Sequence, residues 1–291
     1  MTQPRILIAG ATGANGRQLT EELVAKGLPV RALVRNKDKA AQVLPQAAEL
    51  VEGDLSVSDS LTTALDKVGK AYVVTSIQPD TVSLFQNFFD AAKVAKVSQL
   101  VKFSGLGAAP EAPSEVIRQH AASDAALRES GVPYTILRPN SFHQNMLWQA
   151  ESIASTGAFH LPLADAAQST IDVRDIAEIT STILTTEGHL GKAYDLTGTE
   201  SLTFHDVAEI IADVRGAPVQ YVPVSPEAAE DAMRRQGMPE WQAQVLAEIQ
   251  ALFATGRYAD VTQDAENLLG RAPRSFRTFA EDHKSFFVAK A

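Results

Sequence analysis

The chain has 291 residues and contains no cysteine. This absence excludes disulfide bonds, thiolate catalysis and metal sites that use cysteine. Apolar runs as long as a signal peptide or a membrane span are also missing. The six histidines are scattered without HxH or HxxxH spacing, at positions 120, 143, 160, 189, 205 and 283. We therefore expect a cytoplasmic protein that binds no metal and does not act at a membrane.

The chain is also poor in positive charge. Lysine and arginine total 26 residues against 35 aspartates and glutamates, which gives a formal net charge of −9. An acidic surface repels phosphate backbones, so nucleic acid is not an expected partner. Hydrophobic residues make up 45% of the chain, as in an ordinary globular protein. The length allows one domain with an appended lobe, or two domains.

Glycines are concentrated in one short turn near the start of the chain. An apolar run at residues 5–9 predicts a strand buried on both faces of a parallel sheet, and residues 15–26 predict a helix. Gly10, Gly13 and Gly16 lie between them at every third position. Such a tight turn needs backbone without Cβ, and the amide groups at the helix start suit a pyrophosphate.

The spacing of this turn is GxxGxxG, whereas the best-known dinucleotide fingerprint is GxGxxG. Thr12 and Asn15 lie inside the turn and are able to add hydrogen bonds to a ligand. In the alternative interpretation, the glycines serve only the packing of the helix on the sheet. The position of the turn directly between a strand and a helix favours nucleotide binding.

Strands and helices alternate along the first half of the chain. Further strands are predicted at 29–34, 48–52, 70–75, 100–104 and 132–137, and further helices at 59–67, 80–97 and 114–130. This alternation is typical of βαβ units, so the sequence predicts an α/β fold with a Rossmann-type, doubly wound parallel sheet. Ligands of such sheets bind at the carboxyl ends of the strands, which is where candidate site residues are expected.

The residue after the second predicted strand indicates the type of dinucleotide. NAD sites usually have a carboxylate there, whereas this chain has Arg35, followed by Lys37 and Lys39. A guanidinium binds a 2′-phosphate and a carboxylate repels it, so we expect NADP(H) rather than NAD(H). The alternative is a solvated basic turn. Asp54, after the third strand, either contacts the adenine ring or caps a turn.

Small polar residues follow the fourth and fifth predicted strands. Thr75 and Ser76 are expected near the nicotinamide ribose, although the same loop is suited to capping the helix at 80–97. Ser104 ends the fifth strand and is expected beside the nicotinamide. These two strand ends complete a predicted cofactor site.

Five segments together carry a resemblance to a known family. They are GATGANG at 10–16, Arg35, GDL at 53–55, SGVPYTILRP at 130–139 and DVRDIA at 172–177. In this combination the chain resembles the NmrA-like branch of the atypical short-chain dehydrogenases, over nearly its whole length. The resemblance implies a Rossmann domain that binds NADP(H) and a smaller, mostly helical C-terminal lobe that closes a cleft over the nicotinamide.

The resemblance also implies roles for residues after the sixth strand. Pro139, Asn140 and Phe142 would form a wall of the nicotinamide pocket, and Pro139 and Asn140 would contact the cofactor. Phe142, Asn145 and Trp148 would face the substrate. A helix start capped by polar side chains explains the same stretch without any ligand, and for Trp148 we expect core packing ahead of substrate stacking.

We place the first domain at residues 1–155, with the segment 170–200 returning to it, and the lobe at 156–291. Asp172 and Asp175 precede a helix predicted at 176–184, and we assign them to capping and to an ion pair with Arg174. The last predicted helix, at 275–287, is rich in phenylalanine and packs either on the lobe or on a second copy, which leaves a homodimer open.

One departure from ordinary short-chain dehydrogenases limits the chemistry. Those enzymes pair a serine like Ser104 with Tyr-x-x-x-Lys on the following helix, where the tyrosine donates a proton. The helix at 114–130 has neither tyrosine nor lysine, but it carries His120 and, four residues later, Asp124. His120 either donates a proton with the support of Asp124 or is an ordinary surface histidine with a weak ion pair.

The family includes flavin-independent NAD(P)H reductases of quinones, azo dyes and triphenylmethane dyes, and redox-sensing regulators that bind the dinucleotide without turnover. We therefore expect an NADPH-dependent oxidoreductase without flavin, acting on a small conjugated acceptor such as a quinone or an azo or triphenylmethane compound. Such acceptors need no strong general acid, because solvent can protonate the stabilised anion. A regulator is the alternative, and an imine or carbonyl reductase that uses His120 is the weaker one.

Overall fold

The computed structural model describes residues 4–289. Nine strands form two sheets: β1 Arg5–Ala9, β2 Val30–Val34, β3 Glu49–Glu52, β4 Val68–Val73, β5 Gln99–Phe103, β6 Tyr134–Pro139, β7 Ala158–Leu161, β8 Lys192–Leu196 and β9 Gln220–Pro223. Seven of them make one sheet in the order β3-β2-β1-β4-β5-β6-β8, and β7 pairs with β9 in a parallel two-stranded sheet. The predicted Rossmann-type sheet is confirmed.

The strand order places a topological switch beside β1. The strand β1 pairs in parallel with β2 on one side and with β4 on the other. The chain therefore first builds outward to β3 and then crosses back to continue with β4. In sheets of this kind the crevice at the carboxyl ends of the two switch strands is the usual ligand site.

The α-helices are α1 Ala14–Ala25, α2 Lys37–Ala41, α3 Ser58–Ala64, α4 Thr81–Val94, α5 Glu115–Ser130, α6 Ala150–Thr156, α7 Val173–Thr185, α8 Phe204–Arg215, α9 Pro226–Arg235, α10 Glu240–Phe253, α11 Asp264–Leu269, α12 Phe276–Asp282 and α13 Lys284–Phe287. A 3₁₀ helix covers His143–Gln149. Within residues 4–289, none of these helices is both long and apolar enough to cross a membrane.

The predicted strands of the large sheet lie within two residues of the observed ones, because each is a compact apolar run. The short elements α2, α6, α11 and β7 were not predicted. The strand β7 is four residues long, and only Phe159 in it is fully buried, so its pattern is too brief to read. The helix α2 is five residues long and depends on a local cap, since the Asn36 side chain accepts a hydrogen bond from the Lys39 amide.

The chain divides into two compact units. The first contains the residues up to 111 together with 118–138 and 176–194, and the second contains 112–117, 139–175 and the residues from 195 onward. The first unit has an apolar core in which Phe85, Phe88 and Phe89 of α4 pack with sheet residues such as Leu7 and Leu100. This core fixes the position of the strand ends in that unit.

The core of the second unit is built around aromatic rings. Phe159 of β7 stacks on Tyr221 of β9 with ring centroids 5.3 Å apart. Phe276 and Phe279 of α12 are 5.5 Å apart, and the His143 ring meets Phe276 edge-on at 5.3 Å. Aromatic contacts of this kind add to the stabilisation from apolar burial. The predicted mostly helical lobe thus also contains a small sheet.

The geometry of the glycine turn predicts losses of stability of different size for two substitutions in it. A Cβ on Gly16 would overlap the Gly10 carbonyl oxygen and lie 2.8 Å from the Ala11 Cα, so Gly16→Ala should lower the free energy of unfolding by about 3 kcal/mol. A Cβ on Gly13 would lie 3.5 Å from the same oxygen, so Gly13→Ala should cost less than about 1 kcal/mol. Urea unfolding of both variants measures the difference, and equal losses would contradict this account of the turn.

Candidate functional site

The fold requires two of the three glycines in the turn but not the third. Gly10 has a φ of +83°, and a Cβ there would lie 2.5 Å from the Val74 carbonyl oxygen. Gly16 packs against the Gly10 carbonyl, as described above. Gly13, in contrast, is exposed, has an ordinary φ of −77° and has room for a Cβ. Its lack of a side chain leaves the backbone open to a ligand that approaches from solvent.

The first turn of α1 offers unpaired amide groups to such a ligand. The Gly13 amide donates to the Gly10 carbonyl oxygen at 3.1 Å, so the turn itself is closed. The following amides, which begin at Ala14, lie in the first helical turn, where no helical acceptor exists and no side chain caps the helix. The buried side-chain oxygen of Asn15 has no donor within residues 4–289. Together, these groups fit the phosphates and hydroxyls of a nucleotide.

A free guanidinium lies at the end of β2. The Arg35 side chain is exposed and forms no ion pair with any residue that the structure describes. The charge of Arg35 acts on Asp54. The Asp54 carboxylate accepts hydrogen bonds from the Ser56 amide at 2.8 Å and the Ser56 hydroxyl at 2.7 Å. These two bonds, and then Arg35, lower the pKa of Asp54. The turn-capping interpretation of Asp54 is confirmed, and a contact with adenine stays a prediction.

The loop after β4 presents two free hydroxyl groups. Thr75 is partly exposed and Ser76 is exposed. The helix α4 begins after Asp80, which makes no side-chain capping bond, so neither hydroxyl is needed to start that helix. The hydroxyl that supports this loop belongs to Thr81, which donates to the Gln78 carbonyl oxygen at 2.8 Å. Thr75 and Ser76 therefore stay predictions as ligands of a nicotinamide ribose.

A largely buried charge cluster lies at β5 and its neighbours β6 and α5. The Lys102 ammonium of β5 donates to one carboxylate oxygen of Asp124 on α5 at 2.7 Å. The Arg138 guanidinium of β6 donates twice to the other oxygen, at 3.1 Å and 2.9 Å. Lys102 and Asp124 have no exposed side-chain surface, whereas Arg138 is 22% exposed. Burial lowers the pKa of Lys102 to about 8, although Asp124 opposes this change.

The cluster changes the chemistry expected of His120. One Asp124 oxygen binds Lys102 and the other binds Arg138, so Asp124 is not the partner of the imidazole. Neither expected interaction of His120 with Asp124 is present among the described residues, and the interpretation as a surface histidine was wrong, because the imidazole Nδ1 is buried. Burial, and then Lys102, lower the pKa of His120 to about 3, against the opposite influence of Asp124. His120 is therefore neutral at physiological pH and cannot supply a proton as an imidazolium.

Ser104 and His120 both present an unsatisfied polar atom at the end of β5. Ser104 is 1% exposed, and its hydroxyl helps to lower the pKa of Asp124, yet it makes no hydrogen bond of ordinary geometry within residues 4–289. The buried Nδ1 of His120 has no partner there either. A Cβ added to Gly105 would meet the His120 ring at 2.9 Å, so the imidazole packs on the backbone directly after Ser104.

The residues after β6 belong to the second unit, where their side chains have local partners. Asn140 is 3% exposed and donates to the Ser169 hydroxyl at 3.0 Å and to the Tyr258 carbonyl oxygen at 2.9 Å. Its side-chain oxygen accepts from the Ser141 amide at 2.8 Å. The amide of Asn140 is thus fully used within the unit. A role for Asn140 or for the buried Pro139 in cofactor binding stays a prediction.

The three predicted substrate residues differ in exposure. Trp148 is 77% exposed, so the expectation of core packing was wrong. The reason is local, since Met146 and Ile153 fill the core beside it and leave the indole on the solvent side of the 3₁₀ helix. Asn145 donates to the Ser141 hydroxyl at 3.0 Å, and Phe142 is partly buried. Their contact with a substrate stays a prediction.

The two carboxylates before the predicted helix at 176–184 are structural, as expected. Asp172 accepts from the Arg174 amide at 2.9 Å and pairs with the Arg174 guanidinium at 2.6 Å, which confirms both the capping and the ion pair. Asp175 lies inside α7 and pairs with Arg271 at 2.8 Å and with Arg274. The expected ion pair of Asp175 with Arg174 was wrong, because the Arg174 guanidinium binds Asp172 and Asp282. These contacts tie the segment before α12 to the start of α7.

The sequence analysis assigned no functional or structural role to Lys102. The available signal was a lysine inside the strand QLVKF, because a strand that is buried on both faces rarely contains an unpaired charge. Its partners come from α5 and β6, which are far away in the sequence. Their convergence was not readable from spacing.

This chain is similar to known proteins over nearly its full length. Residues 2–281 match the NmrA-like family. An NAD(P)H azoreductase from Xenophilus azovorans is 36% identical over 284 residues, which are 98% of this chain and 99% of that protein.

Two solved structures extend this similarity to three dimensions. An NADPH-dependent quinone oxidoreductase from Escherichia coli has a TM-score of 0.85 and 26% identity, over 96% of this chain and 99% of that one. The triphenylmethane reductase of Citrobacter sp., complexed with NADP(H), has a TM-score of 0.84 and 26% identity over the same shares of the two chains.

The lowered pKa of His120 predicts a contribution to acid sensitivity. The unfolded chain protonates this histidine below a pKa of about 6.5, whereas the native state stays neutral, so stability falls as the pH falls. His120→Gln removes this contribution. Between pH 7 and pH 5, the variant should lose less unfolding free energy than the wild type, by at most about 2 kcal/mol. Urea unfolding at both pH values tests this, and equal losses would show that His120 is protonated in the native state.

Proposed function

Since this chain belongs to the NmrA-like family, we propose that it is a flavin-independent, NADPH-dependent oxidoreductase. The proposed acceptor is a conjugated small molecule such as a quinone or an azo or triphenylmethane compound. The observation that carries the proposal is the open backbone at Gly13, beside the unpaired amides of α1 and a free Arg35 guanidinium. The names of the similar proteins point to the same class of reaction.

The first unit supplies the proposed dinucleotide site along the strand ends. The pyrophosphate would bind the amides of α1, where the helix dipole favours negative charge. Arg35 at the end of β2 would bind the 2′-phosphate through charge-assisted hydrogen bonds, which is why we propose NADPH over NADH. Thr75 and Ser76 follow β4, and Ser104 follows β5, on the other side of β1. These three residues would hold the nicotinamide half.

When bound, NADPH supplies a hydride to the acceptor. The chain has to orient the two reactants and to tolerate the negative charge that the acceptor gains. The Ser104 hydroxyl, which has no ordinary hydrogen bond among the described residues, is available to donate to an acceptor oxygen or nitrogen. The neutral His120 can offer a hydrogen bond but not a strongly acidic proton.

The absence of a strong acid favours conjugated acceptors. A quinone or an azo compound spreads the incoming negative charge over its conjugated system, and water can then protonate the product. An isolated carbonyl or imine depends more on a proton donor during hydride transfer. The neutral His120 therefore argues against the carbonyl or imine reductase that we considered from the sequence.

The proposal is tested by mixing purified, nucleotide-free protein with NADPH and a panel of quinones, azo dyes and triphenylmethane dyes, with no flavin added. We expect oxidation of NADPH, followed at 340 nm, with at least one acceptor. Gly13→Ala serves as a matched control, because it should fold normally and turn over more slowly. Tight NADPH binding without turnover on any acceptor would overturn the enzyme proposal and support the regulatory alternative.

Arg35 is expected to determine the choice between the two dinucleotides. Loss of its charge-assisted hydrogen bonds in Arg35→Ala should weaken NADPH binding by about 10- to 100-fold. NADH has no 2′-phosphate, so its affinity should change little. Lys93→Ala removes an exposed positive charge from the last turn of α4 and is the matched control. The dissociation constants of NADPH and NADH are measured by NAD(P)H fluorescence for each variant. An equal effect of Arg35→Ala on both constants would refute the assignment of the 2′-phosphate to Arg35.

A further inference from the structure

The buried cluster of Lys102, Asp124 and Arg138 carries more positive than negative charge. It contains two cations and one carboxylate, which leaves a net charge of +1 when Lys102 is protonated. The Lys102 ammonium also lies 4.7 Å from the centre of the Phe85 ring, and this cation–π contact favours the charged form of the lysine. Solvent screens this charge weakly, because Lys102 and Asp124 are fully buried.

The cluster lies directly below the end of β5. Side chains alternate across a strand, so Lys102 and Ser104 point to the same face of the sheet, one repeat apart, or about 7 Å. His120 packs on Gly105 and lies on the same helix as Asp124. The net charge therefore acts on whatever binds above Ser104 and His120.

In the proposed site, the strand order favours this position for the nicotinamide. The proposed site has the 2′-phosphate on Arg35 at the end of β2 and the pyrophosphate on α1 after β1. The nicotinamide half would then extend past β1, away from β2. The next strand ends in that direction are those of β4 and β5. The nicotinamide ring is positively charged in NADP⁺ and neutral in NADPH.

We infer that the Lys102–Asp124–Arg138 cluster determines redox-state specificity. Its positive charge increases the affinity of the protein for NADPH relative to its affinity for NADP⁺. This inference rests on the proposed NADP(H) site. Repulsion between the cluster and the cationic ring raises the dissociation constant of the oxidised form only. In a reductase this favours entry of NADPH and departure of NADP⁺ after each turnover.

The size of the effect follows from Coulomb's law. With an effective dielectric constant of about 20 and a separation on the order of 10 Å, one unit charge changes the ratio of the two dissociation constants on the order of tenfold. The ratio is the informative quantity, because the two forms share the adenine, the phosphates and both riboses. A substitution that alters these shared contacts changes both dissociation constants alike, so it leaves their ratio unchanged. The charge of the nicotinamide ring differs between the two forms and therefore does affect the ratio.

The charge of the cluster should also depend on pH. The groups that face Lys102 are Asp124, His120 and the exposed Arg128 from α5, Arg138 from β6 and the uncharged Phe85 ring from α4. Burial lowers the pKa of Lys102 to about 8, so the ammonium loses its proton as the pH rises through that value. Arg138 and Asp124 then cancel, and the preference for NADPH should weaken between pH 7 and pH 9.

The test compares dissociation constants for NADPH and NADP⁺, measured by titration calorimetry on the wild type and two variants. Lys102→Met keeps the length of the side chain and leaves Asp124 paired with Arg138, so the net charge becomes zero. The double variant Lys102→Met with Asp124→Asn leaves Arg138 alone and restores a net charge of +1. Thermal unfolding of each protein verifies that it is folded.

We expect Lys102→Met to reduce the preference for NADPH on the order of tenfold and to abolish its pH dependence, and the double variant to recover the preference. If Lys102→Met leaves the ratio unchanged, or if the double variant fails to restore it, the inference is overturned, since a merely structural role would not follow net charge. Wild-type protein that binds neither dinucleotide overturns the proposed function together with this inference. Binding of both with an unaltered ratio overturns the inference alone.

Discussion

The close approach of Gly16 to the Gly10 carbonyl is the constraint on which the rest of the first unit depends. No side chain fits between these two backbone segments, so α1 can leave β1 at once and start with its amides unpaired. The same turn brings Gly10 against Val74, just after β4, the strand on the other side of the switch. One steric requirement therefore creates both the crevice at the strand ends and the positive helix end beside it. Gly13, which packing leaves free, is the position that a ligand can use.

The site combines this anion-binding edge with a buried charge cluster and without a strong acid. Lys102, Asp124 and Arg138 satisfy one another, which is the condition under which charges persist in a protein interior. Burial, and then repulsion by the Lys102 ammonium, lower the pKa of His120 and keep it neutral, although Asp124 opposes this change. The arrangement suits reactions in which hydride transfer comes first and the proton arrives from water.

The second unit is held by a different kind of contact. Buried carboxylates at the start of α7 bind arginines that follow or lie far along the chain, and an aromatic cluster fills the space around α12. Breaking one partner of such a buried pair is costly, since it leaves an uncompensated charge. These contacts explain why Asp172 and Asp175, which by type are suited to acid–base work, are structural here. Separate hydrogen bonds with Ser169, Tyr258 and Ser141 occupy the side chain of Asn140.

The sequence by itself determined the sheet, the glycine turn and the basic residue after β2, because each depends on a run or spacing of a few neighbouring residues. It also showed that the helix after β5 lacks Tyr-x-x-x-Lys, which limits the acceptor class. It did not determine the exposure of Trp148, the short elements α2, α6, α11 and β7, or the state of His120. Those were decided by tertiary structure, since burial, pKa and ion pairing depend on groups that only folding brings together. Lys102 shows this most clearly: its residue type was visible in β5, but its partners come from α5 and β6.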